Sequence, residues 1–151
     1  MNKLTKFLVF LSLMMATTAA AVQPTPASAQ RRDGFKLIVN PSNSVTAVNR
    51  QFMEDAFLKK VTRWPNGKVI QPIDGKPQSQ TRVFFSTTVM KKPVPQVRNY
   101  WTQMIFGGRN IPPPEGASEE AIISYVAKRP GAVGYVSVYA DTKNVKIITV
   151  K

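Results

Sequence analysis

The chain has 151 residues, 21 basic against eight acidic, no histidine and no cysteine, for a formal net charge of +13. Disulfides, Cys–His nucleophiles, Ser–His–Asp triads and histidine metal sites are therefore excluded. No two of the eight carboxylates have a spacing that suggests acid–base work, so an enzyme is the weakest functional class.

Lys3 and Lys6 precede the apolar run "FLVFLSLMMA", and small residues lead to Ala27-Ser28-Ala29. A charged start, an apolar middle and an A-x-A-like end read as a secretory signal peptide over residues 1–29. The apolar run is shorter than the roughly 20 residues a membrane helix needs. An exported chain without cysteine carries no lipid anchor at one, and the expected location is the periplasm. Loss of Lys3 and Lys6 with the leader lowers the charge to +11, which still favours anionic partners. Export argues against nucleic acid, as does the lack of an arginine-rich block with interleaved aromatics. The default reading of the lysine pairs is a solvated basic surface.

Residues 30–34 read as a mobile lead and 35–151 as a single domain. "FKLIV" (35–39) is expected to be a buried strand, ended by the turn "NPSN". In "SVTAVNRQFMEDAFLKK", Val45, Val48, Phe52 and Ala56 recur at helical spacing. Asn49 is an N-cap for the latter part, and Lys59-Lys60 suit its end. "RWPNGK" is a loop. "VIQPI" (69–73) is a strand that Pro72 confines to an end or an edge. A helix is expected over 80–90 and another after "KKP", with Val94, Val97, Trp101, Met104 and Ile105 on one face and Gly107-Gly108 stopping it. Trp101 and Phe106 are expected in or near the core. Ser118 caps "EEAIISYVAKR", Pro130-Gly131 break it, and "AVGYVSVY" and "VKIITV" close the chain as strands. Glu54-Asp55 and Glu119-Glu120 read as solvated surface. The alternation of strand and helix predicts an α/β layer structure with a mixed sheet.

"QSQTRVFF" (78–85) carries the functional question. Ser79 and Thr81 stand at a helix start, where free N–H groups and the positive end of the helix dipole bind anions. Arg82 adds a fork of donors. The commoner use of a serine there is as an ordinary N-cap, with Thr81 in the first turn and Arg82 in solvent; the residues alone favour that reading and leave the other open.

The ordered pieces "VNPSNSV", "RWPNGKVIQPID", "SQTRVFF", "YWTQMIFGGRNIPP" and "YVAKRPGAVGYVS" resemble phosphate ABC transporter substrate-binding proteins, above all the short, single-lobe members. The likeness runs over about 35–137. It implies a periplasmic-binding-protein type II-like lobe, a mixed sheet flanked by helices. It also implies phosphate or a related oxyanion as ligand, an ABC transporter permease as partner, and no cofactor. Ser79 and Thr81 match the serine and threonine with which the family grips phosphate. Gln80 stands where the family has glycine, and Gly75 where it carries an arginine. The candidate site is thus Ser79, Gln80, Thr81 and Arg82. The chain has length for about one of the family's two lobes, and a homodimer is one way to supply the other. The alternative is an interaction module that kept the lobe and lost the ligand, docking an acidic envelope partner through its basic surface.

Overall fold

A computed structural model describes residues 34–151; the signal-peptide reading and the lead up to residue 33 lie outside it. The elements in order are β1 (Phe35–Val39), β2 (Ala47–Val48), α1 (Arg50–Phe57), β3 (Gln71–Pro72), α2 (Gln80–Thr88), α3 (Val94–Phe106), α4 (Glu119–Ala127), β4 (Ala132–Ser137) and β5 (Lys146–Val150). They build the expected mixed sheet, in the order β2-β5-β1-β4-β3. β1 lies between β4 and β5 and is antiparallel to both, while β2 runs parallel to β5 and β3 parallel to β4. The two strands that close the chain are therefore separated in space by the first one.

The twofold alternation of strand side chains divides the core. Leu37 and Val39 of β1, with Val133 and Tyr135 of β4, face Met53, Phe57, Phe85, Val97 and Trp101 from α1, α2 and α3. Ile38, Ala132 and Val136 face the other way, onto Ile122 and Val126 of α4. Gly134 lets α4 approach, because a Cβ there would meet Ile122 Cγ2 at 2.8 Å. Pro72 sits at the sheet edge, where its missing N–H costs no ladder bond. Trp64 is buried, and its Nε1–H donates to Gly131 O at 2.9 Å.

Several expectations are corrected. Val45 and Val48 are not helical. The segment stays extended as far as Val48, because Thr46 O and Val48 O accept from the Thr149 and Lys151 N–H groups beside β5. The helix begins only after Asn49, whose Oδ1 accepts from the Gln51 N–H at 2.7 Å. Its end is a Schellman motif: Lys59 takes φ 53°, and the Lys59 and Lys60 N–H groups donate to Ala56 O and Asp55 O. Ile105 and Phe106 lie outside the core at 52% and 87% exposure, in the last turn of α3, beyond Val97 and Trp101, the buried residues of that helix. Glu54 is buried rather than solvated, held by Arg50 and Lys92. Burial works to raise its pKa, but those two partners outweigh it and hold the carboxyl below its ordinary value.

Candidate functional site

Ser79 is the N-cap of α2, with extended backbone and its Oγ accepting from the Arg82 N–H at 3.1 Å. A hydroxyl that accepts this bond keeps its own hydrogen to donate elsewhere. The Gln80 and Thr81 N–H groups precede the first intrahelical donor, Val83, whose N–H bonds Ser79 O at 3.0 Å. Ser118 caps α4 the same way, its Oγ accepting from the Ala121 N–H at 3.2 Å.

The two helix starts share one cavity of about 100 Å³. Gly75, Lys76, Ser79 and Thr81 line it from one side of the chain, and Ser118 and Glu119 from the other. Two positive dipole ends thus meet at one small volume. Glu119 opposes them in part. It is half-buried rather than solvated, and its carboxylate accepts from the Ser137 N–H at 2.6 Å and the Ser137 hydroxyl at 2.9 Å.

The four candidate residues do not form one cluster. Ser79 and Thr81 line the cavity; Gln80 is exposed and its side chain lies on a separate surface groove. Arg82 is neither the cation of this cavity nor solvated. One residue past Thr81 turns the side chain about 100° around the helix, and Arg82 runs into the interior at 5% exposure. There its Nη1 contacts Asp74 Oδ2 and donates to Gly75 O at 3.4 Å. Burial pushes the guanidinium's pKa down, against the neighbouring Tyr135 and Glu115, yet an arginine starts so high that it stays charged.

Asp74 and Tyr135 complete this network, and sequence reasoning missed both. The Tyr135 hydroxyl donates to Asp74 Oδ1. The Gly75 N–H lies 3.0 Å from both Asp74 Oδ1 and the Tyr135 oxygen. Burial pushes the Tyr135 phenol up to about 12, more than the Arg82 charge and the Gly75 N–H pull it down. The network backs the cavity: a Cβ on Gly75 would sit 3.3 Å from the Tyr135 oxygen and 3.4 Å from Ser79 Oγ. The available signal was an aspartate directly after the apolar run "VIQPI" and a tyrosine on the inward alternation of "AVGYVS".

Among the described residues no group of three histidine, cysteine, aspartate or glutamate side chains could hold a metal ion, and no helix is long and apolar enough to cross a membrane. No protein-family model matches the chain, and no curated protein matches it. Solved structures do. An ABC-type phosphate transport receptor from Vibrio cholerae matches at 22% identity and a TM-score of 0.60, over 78% of this chain and 46% of that one. PstS from Borrelia burgdorferi matches at 14% identity and 0.61, over 79% and 47%. The chain spans about half the length of these receptors, and over that half it has the fold of a phosphate ABC transporter substrate-binding protein.

Proposed function

We propose that this is an exported, non-enzymatic binding protein whose ligand is phosphate or a related oxyanion. The observation that carries the reading is the convergence of two helix starts, with the Ser79 and Thr81 hydroxyls, on one cavity. The donors are those hydroxyls and the Gln80 and Thr81 N–H groups; Gln80 acts through its backbone, and Arg82 through the N–H that orients Ser79. The neighbours in fold are transport receptors rather than enzymes, which supports a binding role and an ABC transporter permease as partner.

One observation favours the second reading, a lobe without ligand that docks an acidic envelope partner. Among the described residues the only cation on the cavity is the exposed Lys76, and Glu119 sets a carboxylate on its wall. Calorimetric titration of the purified protein with phosphate separates the two, with sulfate at matched ionic strength as control. The binding reading expects a saturable, phosphate-selective isotherm that Ser79→Ala/Thr81→Ala abolishes. No heat, or equal heat from both anions, leaves Ser79 a helix cap and favours docking.

A further inference from the structure

A second cavity, of about 190 Å³, also touches the Asp74–Arg82 pair. It opens between α3, which contributes Arg98, Trp101, Thr102 and Ile105, and the segment of Pro112, Pro113 and Glu115. Its buried polar wall is Arg82 with Asp74 beside it. A guanidinium has two donor edges, and here Nη1 makes both protein contacts, to Asp74 Oδ2 and Gly75 O. The side-on edge of Nε and Nη2 is left over: the Nε–H is buried with no hydrogen-bond partner among the described residues. Asp74 does not reach it: Oδ2 meets Nη1, and Oδ1 takes the Tyr135 hydroxyl and the Gly75 N–H. A buried donor without an acceptor is costly and calls for a ligand atom or a water. Arg98 adds a second guanidinium, exposed and without an ion pair among the described residues.

We propose that this cavity binds a small carboxylate with an apolar body. Its carboxylate takes the side-on edge of Arg82 together with Arg98, and its body lies against Trp101, Ile105 and Pro113. The flat fork of Nε and Nη2 matches the two oxygens of a carboxylate. The walls are largely ring and aliphatic surface, which a bare inorganic oxyanion would leave unused. Glu115 at the exposed rim disfavours a dianion more than a monoanion. The volume limits the body to about a benzene ring, which a cavity of about 150 Å³ accommodates. The site is separate from the Ser79 cavity and does not depend on the function proposed there.

Benzoate is the probe and benzamide the uncharged control, each titrated into the purified protein by calorimetry. Benzoate is expected to saturate in the millimolar range or below, and benzamide to bind about tenfold more weakly. Arg98→Ala, at an exposed position that leaves the fold intact, is expected to weaken benzoate about tenfold, while Ser79→Ala/Thr81→Ala leaves it unchanged. Absence of saturation means that the cavity holds only water, and overturns the proposal. Equal binding of benzamide overturns it by showing that the charge of the ligand is not recognised, and no effect of Arg98→Ala overturns it by showing that the second guanidinium takes no part. Loss of benzoate in Ser79→Ala/Thr81→Ala overturns it by placing the ligand in the other cavity.

Discussion

Arg82→Met removes one charge from the interior and keeps much of the side chain's apolar stem. Asp74, 4% exposed, then retains only the Tyr135 hydroxyl and the Gly75 N–H for its carboxylate. Breaking a buried pair from one side costs about 3–5 kcal/mol, a large part of the about 5–15 kcal/mol that holds a domain of this size. Asp74→Asn keeps an acceptor for Tyr135 and Gly75 but strands the guanidinium, at a similar cost. The double variant Asp74→Asn/Arg82→Met leaves neither charge of this pair in the interior. Replacing a whole buried pair by neutral groups is often close to neutral, so the double variant is expected to be more stable than either single one. Urea unfolding of the four proteins measures the cycle, provided the slopes with denaturant agree. Costs that simply add in the double variant would refute the reasoning. So would a cost below about 1 kcal/mol for Arg82→Met, the value of an exposed pair.

Three further outcomes follow from the same geometry. Tyr135 titrates at about 12 in the fold against 10.0 in its ordinary state, so the folded chain holds its proton longer. Its contribution is complete below about pH 10 and is lost as pH rises toward about 12; urea midpoints across that window should fall less steeply in Tyr135→Phe than in the unaltered protein. Tyr100 shifts in the same direction, which is why the comparison is between the two proteins. In Gly131→Ala the new Cβ would lie 1.8 Å from Val69 O, so the chain must part where Gly131 O accepts from Trp64 Nε1–H and the Gln71 N–H. Thermal melting should show a loss of about 3 kcal/mol or more. Ser79→Ala without ligand should cost about 1 kcal/mol as a lost cap, lowering the melting temperature by about 4 °C.

What the sequence showed was local. Caps at Asn49, Ser79 and Ser118, the edge proline and the alternation of "AVGYVS" are written in residues a few positions apart. What it hid was pairing over distance. Val45 and Val48 satisfy the helical period, yet the last strand, about a hundred residues later, claims the backbone of Thr46 and Val48 and keeps the segment extended. Glu54 and Glu119 look solvated until Lys92 and Ser137 arrive from other elements. Arg82 carries no local mark of burial; only the approach of Asp74 in the fold makes an interior arginine affordable. The candidate site divided along the same line. The place of Ser79 and Thr81 at a helix start was legible from the local sequence, and the inward direction of the Arg82 side chain was not.

The opposition between cap and cradle at Ser79 is therefore a false one. Its oxygen accepts the Arg82 N–H and so fixes the first turn of α2, and its hydrogen remains free for a ligand. On the proposed reading, capture is limited by the number of donors on one lobe. Two hydroxyls and two N–H groups serve at most one face of a tetrahedral anion, and the other oxygens stay in water unless a second surface closes over them. Without closure each bond forms at high dielectric and is worth little beyond the water it displaces. A lone lobe should thus bind phosphate weakly and in proportion to protein, whereas a second copy supplying the opposite wall makes affinity rise with protein concentration. Titration at two protein concentrations about tenfold apart reads the difference: one dissociation constant at both fits the lone lobe, and tightening at the higher one fits a site shared between two chains.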